Sequence, residues 1–207
     1  LSNVKIKNNS TVYADGGGMN LTSSNPTLTN VTISNNTSSD GGGIHCSYSD
    51  PTLTNVTISE NSATGIIGSY GYGGGMCIVS NSNATLNNVT FSGNSATGTL
   101  GGIGGGIYCD ANSNLVNCIL WNDYPSEISS YYGSLTATYS DIQGGREGEG
   151  NIDADPLFTD PDNGDFHLQE NSPCIDAGDP NSPLDPDGTV ADMGAYYYHQ
   201  EQAYDGP

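Results

Sequence analysis

Apolar and polar residues alternate in a short segment that recurs along the chain. Residues 28–36 read Leu-Thr-Asn-Val-Thr-Ile-Ser-Asn-Asn, with close copies at 53–61 and 86–94, an earlier copy at 1–9 and a divergent one at 115–123. The alternation places Val31 and Ile33 on one face of a β-strand. Because a single short strand cannot bury that face, we expect the copies to stack on one another.

Parallel stacking turns each apolar position into a column inside a solenoid. A glycine triplet and an apolar residue follow each of the first four copies, and we predict a second strand there. The predicted inward columns are Val4–Val31–Val56–Val89–Cys118, Ile6–Ile33–Ile58–Phe91–Leu120, Met19–Ile44–Met76–Ile107 and Leu21–Cys46–Ile78–Cys109. The polar residues between them, such as Thr57 and Ser59, are expected to form a flat, exposed array of hydroxyl groups.

Asparagines and glycines also recur at fixed places in the repeat. Asn9, Asn36, Asn61 and Asn94 fall where the chain turns between strands, with Asp123 in register. Stacked asparagine side chains can hydrogen-bond one another, and the glycine triplets suit tight corners that need positive φ. Since the connections show no helical period, we predict an all-β fold, a right-handed parallel β-helix of about five coils with a non-repeating C-terminal cap.

The charge balance excludes several classes of function. The formal net charge is −20, with only three lysines and arginines, so the chain lacks the cations that neutralise the phosphates of nucleic acids or anionic membranes. No apolar run approaches the roughly 20 residues of a membrane span. The five cysteines show no C-x-x-C spacing, which indicates buried thiols rather than a zinc site or a complete disulfide set.

The acidic residues are concentrated in the C-terminal part. Five of the 23 lie in residues 1–120, which leaves 18 for residues 121–207. Two turn-rich segments place carboxylates at close intervals, the arrangement that a calcium ion with six to eight oxygen ligands requires. Neither segment matches the EF-hand spacing. The alternative interpretation is an ordinary turn, since Asp, Asn, Gly and Pro are common turn residues. The predicted calcium ligands are Asp160, Asp162, Asp165, Asp185, Asp187 and Asp192.

The loops before the glycine triplets lengthen in the third and fourth coils, at residues 62–72 and 95–103. Extra length on adjacent coils falls on one side of a solenoid, where binding surfaces are usually found. In the predicted register Asn20, His45, Cys77 and Tyr108 form an exposed column beside these loops. Scattered surface tyrosines are the simpler interpretation. The predicted ligand-binding residues, whose rings could stack on sugars, are Tyr70, Tyr72, Tyr108, Trp121 and His45.

Catalysis is the alternative hypothesis. Many parallel β-helix enzymes cleave acidic polysaccharides, and glycoside hydrolysis needs two carboxylates facing one substrate. Asp15 and Asp40 both precede glycine triplets and could lie on adjacent coils. One acidic pair is not enough to assign catalytic residues, so a polysaccharide lyase or glycoside hydrolase stays the alternative.

Several motifs resemble a known group of proteins. Gly-Gly-Gly-Ile-x-Cys at 41–46 and Pro-Thr-Leu-Thr-Asn-Val-Thr-Ile-Ser at 51–59 resemble right-handed parallel β-helix repeat proteins and the repeats of polymorphic outer-membrane proteins. Asn-Ile-Asp-Ala-Asp-Pro-Leu-Phe at 151–158, Asn-Gly-Asp-Phe-His-Leu at 163–168, Ser-Pro-Cys-Ile-Asp-Ala-Gly at 172–178 and Asp-Met-Gly-Ala-Tyr at 192–196 resemble the C-terminal module of choice-of-anchor β-helix proteins. The resemblance implies secretion and attachment to the cell surface, and usually no assigned activity.

Together these observations predict β-helix coils over residues 1–145 and an acidic closure over residues 146–207 that packs on the solenoid. We expect an extracellular or cell-surface structural or adhesive module, stabilised by calcium and able to bind a polysaccharide or cell-surface glycan. Exposed coil ends could also mediate self-association, because an unpaired terminal strand is a template for pairing.

Overall fold

The computed structural model describes residues 1–201 and forms a parallel β-solenoid of about four turns, close to the predicted five. The first sheet has nine strands, Lys5–Lys7, Thr27–Thr29, Thr32–Ser34, Thr52–Ser59, Thr85–Ser92, Ser113–Val116, Ile119–Trp121, Leu135–Thr138 and Asp141–Ile142. The second sheet contains Met19–Thr22, Ile44–Ser47, Met76–Val79, Ile107–Cys109 and Ile128–Ser129. The third sheet contains Thr37–Ser38, Ser62–Thr64 and Ser95–Thr97.

Four short strands complete the fold. Gly71–Tyr72 and Gly102–Ile103 pair in parallel within the two long loops. Phe158–Asp160 and Asp165–Leu168 form an antiparallel hairpin around a 3-10 turn at Pro161–Asn163. No helix in the described residues is long and apolar enough to cross a membrane.

The strand register agrees with the predicted columns. Ile33 pairs with Ile6 on one side and with Ile58 on the other, while Val56 pairs with Val89. In the second sheet the register Met19–Ile44–Met76–Ile107 is also as predicted. These side chains fill the inside of the solenoid, where burial of apolar surface stabilises the fold by roughly 25 cal/mol per Å².

The asparagine column is a hydrogen-bonded ladder. The side-chain Nδ2 of Asn36 donates to Oδ1 of Asn61 at 3.0 Å, and Asn61 donates in the same way to Asn94 at 3.0 Å. Asn36, Asn61 and Asn94 also use Nδ2 to reach a backbone carbonyl of the preceding coil, as Asn61 does to Ile33 at 2.9 Å. The ladder therefore satisfies the buried polar groups at the turn between the first and third sheets.

The ladder ends at two buried carboxyl groups. Asn94 donates its backbone N–H and its Nδ2 to Oδ1 of Asp123, at 2.7 and 2.9 Å. Oδ2 of Asp123 and Oε2 of the adjacent Glu127 are buried without a hydrogen-bonding partner in the described residues. Burial and the neighbouring Glu127 raise the pKa of Asp123 well above its ordinary value, and burial raises the pKa of Glu127 as well. A single proton shared between these two carboxyl groups would satisfy both oxygens.

The glycine triplets form the corners before the second sheet. Gly41 adopts φ +63°, in the left-handed region that favours glycine. A Cβ atom on the next residue, Gly42, would lie 2.5 Å from the carbonyl oxygen of Gly74 in the following coil. The coils approach each other too closely at this corner for any side chain.

The C-terminal cover, residues 158–198, packs on the outer face of the first sheet. Its apolar side chains form a second buried cluster around Ile119, composed of Phe158, Phe166, Leu168, Cys174 and Met193. The backbone N–H of Ala195 donates to Oγ1 of Thr90 at 2.9 Å, and Nδ2 of Asn88 donates to the carbonyl of Asp192 at 2.8 Å. The cover is therefore fixed to the solenoid by both apolar and polar contacts.

This packing corrects one prediction. Thr57 and Thr90, expected in an exposed hydroxyl array, are only 2% and 0% exposed. Ser59 and Ser92 are buried as well. The repeat places these residues on the outer face as predicted, but the non-repeating cover lies on that face, so no flat hydroxyl surface exists there.

Candidate functional site

The outer face of the second sheet carries the predicted column Asn20, His45, Cys77 and Tyr108, in the predicted register. The expectation that the whole column is exposed is wrong. Asn20 is exposed and His45 half-buried, but Cys77 and Tyr108 are only 2% and 7% exposed. Tyrosines of the long loops and of the next coil pack against this end of the column, which sequence alternation alone does not reveal.

A row of four tyrosine rings crosses this face along the solenoid axis. The ring centroids of Tyr70 and Tyr72 are 6.0 Å apart, those of Tyr72 and Tyr108 4.7 Å, and those of Tyr108 and Tyr131 6.3 Å. We call these four residues the tyrosine row. The structure thus brings together the three predicted tyrosines, at spacings within the favourable range for aromatic pairs.

Tyr131 is a member of the row that the sequence did not point to. It follows the short strand Ile128–Ser129, which pairs with Ile107 and Tyr108 as the last strand of the second sheet. The corresponding part of the chain lacks a glycine triplet, so the repeat gives no register there. The adjacent tyrosines Tyr131 and Tyr132, which begin three residues after Ile128, were the available signal.

The two other predicted ligand-binding residues lie apart from the row. Trp121 pairs with Ser92 in the first sheet and packs against the cluster under the C-terminal cover. His45 lies on the second sheet one coil before Cys77, with its Nε2 3.8 Å from a carboxylate oxygen of Asp15. Burial lowers the pKa of His45, and the negative charge of Asp15 partly opposes that change.

Two carboxylates, those of Asp40 and Asp110, hold the backbone of the tyrosine row in place, and a third, that of Asp15, lies near Asp40. Oδ1 of Asp40 accepts the backbone N–H of Tyr72 at 2.9 Å. Oδ1 of Asp110 accepts the backbone N–H of Tyr131 at 3.0 Å, and its Oδ2 accepts the phenol of Tyr108. Burial is the main cause that raises the pKa of Asp40, and the negative charge of nearby Asp15 raises it further. The face therefore combines fixed aromatic rings with hydrogen-bond acceptors. Neither the tyrosine row nor the neighbouring residues named above include a lysine or an arginine.

The first predicted calcium loop lies in the hairpin of the C-terminal cover. Asp160 and Asp165 face each other across the two strands. Oδ2 of Asp160 accepts a hydrogen bond from Asn163 at 2.8 Å, and Oδ1 of Asp165 lies 2.6 Å from a ring nitrogen of His167. This contact lowers the pKa of Asp165. Asp162 is exposed in the 3-10 turn between them.

The second predicted loop uses its carboxylates to fix the backbone. Asp192 is buried and accepts the backbone N–H groups of Asp176 at 2.7 Å and Tyr198 at 2.6 Å. Burial raises the pKa of Asp192 to about 6 even though these two bonds favour the charged form. Asp187 accepts the backbone N–H of Gln200 at 2.8 Å, and Asp185 accepts that of Asp192 at 2.9 Å.

Within residues 1–201 no group of three or more acidic, histidine or cysteine side chains is arranged to hold a metal ion. The loop carboxylates instead accept hydrogen bonds from neighbouring backbone and side-chain groups. Calcium at these loops stays a prediction, since a flexible loop can rearrange around a cation.

Comparison with known proteins identifies a family. A family model described as "Right handed beta helix region" matches residues 2–144. No curated protein and no solved structure matches the chain. The matched stretch contains the strands of the solenoid and the tyrosine row, and it ends before the C-terminal cover.

Proposed function

Because the chain belongs to the family of right-handed β-helices, we propose that it is a rigid extracellular or cell-surface module that binds a glycan along the tyrosine row. The observation that carries this proposal is the unbroken sequence of four rings on one face, with centroid spacings of 6.0, 4.7 and 6.3 Å. Aromatic rings offer sugars an apolar face, and neighbouring carboxylates accept hydrogen bonds from hydroxyl groups.

The row is fixed before any ligand arrives. Asp40 and Asp110 hold the backbone of Tyr72, Tyr131 and Tyr132 through hydrogen bonds between coils. Tyr108 is buried beneath its neighbours, whereas Tyr70 and Tyr131 are 39% and 65% exposed. A preorganised surface loses little conformational entropy on binding, so the two exposed rings are the members available to stack on sugar rings.

Charge favours neutral over acidic glycans. Asp40 and Asp110 bond the backbone of the row, Asp15 lies near Asp40, and the whole chain has a formal net charge of −20. A uronate-rich polysaccharide would meet like charge without a lysine or arginine to neutralise it. A neutral polysaccharide meets only hydrogen-bond acceptors and rings. This argument also weighs against a lyase acting on acidic polysaccharides.

The test is retention of the full chain on immobilised neutral and acidic polysaccharides, with the variants Tyr70→Ala and Tyr131→Ala. Loss of a stacking aromatic is expected to weaken binding about five- to tenfold. Tyr48→Ala is the matched control, because Tyr48 is 61% exposed and follows the strand Ile44–Ser47, which lies three strands away in the second sheet from the strand that precedes Tyr131. Equal retention of all three variants, or retention only on acidic polysaccharides, would exclude the tyrosine row as the binding surface.

The same incubation separates a binding module from an enzyme. Retention without new reducing ends or unsaturated products supports a binding module, whereas either product indicates a carbohydrate-active enzyme. The extracellular location rests on the resemblance of the repeats and of the C-terminal motifs to secreted proteins. Antibody labelling of intact cells of the source organism tests it.

Self-association through coil ends also stays a prediction. The first coil presents the strands Lys5–Lys7 and Met19–Thr22 at the edges of their sheets. Ile6 and Met19 are only partly buried there. A concentration-dependent mass in sedimentation experiments, reduced by Ile6→Lys, is the expected result.

A further inference from the structure

The C-terminal cover leaves a cleft where it ends on the first sheet. Thr57 and Thr90 lie under the cover, but Thr32, in the preceding coil, is half-exposed. Asn30, Asn55 and Asn88 follow one another along the floor of this cleft, about 4.8 Å apart per coil. The cleft lies on a different sheet from the tyrosine row.

The cleft has the size of a small-ligand site. Its volume is about 420 Å³, within the range of roughly 300–1,000 Å³ of known ligand pockets. Its lining includes the carboxyl groups of Asp185 and Asp192 and the rings of Tyr196 and His167. The rings of Tyr196 and His167 pack at a centroid distance of 4.3 Å.

The walls are held rigidly. Gly194 adopts φ +95°, and a Cβ atom there would lie 2.7 Å from Cδ1 of Ile119, so the cover lies tightly against the sheet. Asn88 and Thr90 bond the backbone on either side of Gly194. A cleft that keeps its shape without a ligand is expected to bind with little reorganisation.

The charges of the cleft are negative. Both oxygens of Asp192 accept backbone N–H groups, but Asp185 uses only Oδ2, for the N–H of Asp192. Its Oδ1 accepts no hydrogen bond from the described residues. His167 is paired with Asp165 at 2.6 Å, and no lysine or arginine lines the cleft within residues 1–201.

We propose that this cleft binds a hydroxylated primary amine, the chemistry of a 2-amino sugar unit. The ammonium group lies against Oδ1 of Asp185, with the ring of Tyr196 able to add a cation–π contact. The side-chain amides of Asn30 and Asn55 hydrogen-bond the hydroxyl groups. This inference does not depend on glycan binding by the tyrosine row.

The experiment titrates the full chain at about pH 7 with a glucosamine trisaccharide, and separately with its N-acetylated form and with calcium chloride. Binding is followed by NMR through the amide signals of Asn55 and Ala195. Specific shifts with the free amine, and none with the neutral N-acetylated form, are expected. Equal binding of both sugars, no binding of either, or saturation of the same signals by calcium overturns the proposal.

The variant Asp185→Asn tests the charge without removing the structural contact, because its side-chain oxygen can still accept the N–H of Asp192. This variant is expected to bind the amine about fivefold more weakly, as suits a partly screened ion pair. Its melting temperature is expected to be unchanged. Asp162→Asn, exposed in the hairpin, is the matched control, and Tyr70→Ala must leave this binding unaltered. Equal affinity of Asp185→Asn and Asp162→Asn contradicts the proposal.

Discussion

Replacement of Asp123 by Asn is expected to stabilise the protein at neutral and alkaline pH. Oδ1 of Asp123 accepts two hydrogen bonds from Asn94, and the Asn side chain keeps that acceptor. By the register of the ladder, its new Nδ2 donates toward the carbonyl of Phe91 and toward Glu127. The substitution extends the ladder by one asparagine and supplies a donor to Oε2 of Glu127, which is buried without a partner in the described residues.

The magnitude follows from the two unsatisfied oxygens. An unsatisfied buried polar group costs about 1–3 kcal/mol, and one added amide removes this cost for Glu127. We therefore expect the free energy of unfolding to rise by about 1–3 kcal/mol near pH 8. For a protein of this size the melting temperature should rise by roughly 2–12 °C.

The effect has a definite pH dependence. Burial raises the pKa of Asp123 in the folded protein above its ordinary value of 3.8. A raised carboxyl pKa means that the folded state binds its proton more tightly, so this contribution to stability is present below about pH 4. It is lost as the pH rises through the higher pKa of the folded state. The stability difference between Asp123→Asn and the parent protein should accordingly be small near pH 4 and grow toward pH 8.

Thermal unfolding by circular dichroism at several pH values between 4 and 8 measures this difference. Asp50→Asn is the control, because Asp50 also accepts a backbone N–H from an adjacent coil, that of Asn83 at 2.7 Å, but is exposed. A difference that does not change with pH, or a destabilised Asp123→Asn, would refute the shared proton and favour a bound cation between the two carboxylates.

Three further predictions concern the ladder, the corners and the acidic loops. Asn61→Ala removes a side chain that hydrogen-bonds Asn36, Asn94 and the carbonyl of Ile33. Unfolding in urea should show a free energy of unfolding lower by about 2–4 kcal/mol. A loss below about 1 kcal/mol contradicts a stabilising role of the ladder. Gly42→Ala should prevent cooperative folding, because a Cβ atom at this position would lie 2.5 Å from backbone atoms. Gly68→Ala, where nothing lies within 4 Å of the added Cβ, should lower the free energy of unfolding by only about 1 kcal/mol. Similar melting temperatures of the two variants would argue against the close approach. If calcium binds the acidic loops, a chelator should lower the melting temperature and added calcium restore it; an unchanged transition eliminates calcium.

The solenoid could be predicted in detail because one local pattern repeats. Val56 and Val89 occupy equivalent places in the sequence, and stacking is the only way for both to bury the same face. The asparagine ladder follows for the same reason, since a polar residue fixed at each turn must meet its equivalent in the next coil. Periodicity thus determines both the register and the hydrogen bonds that depend on it.

What the repeat could not reveal is the packing of non-repeating chain against it. Thr90 has the outward position of an exposed residue, yet Ala195, more than a hundred residues later, donates a hydrogen bond to it. Tyr108 likewise points outward and is buried by rings from two loops. Alternation specifies the direction of a side chain, whereas its exposure depends on which long-range segment covers it.

The C-terminal cover also determines which faces of the solenoid are available for binding. It occupies the outer face of the first sheet over Thr57 and Thr90, and leaves a cleft at its edge beside Thr32. The second sheet is not covered by this segment, and its outer face carries the tyrosine row instead. Since a ligand needs both exposed groups and a fixed framework, the row and the cleft are both candidate binding surfaces on these two sheets. Both lack lysine and arginine and both contain carboxylates, so the same physical argument selects neutral or amine-bearing ligands for each and disfavours polyanions.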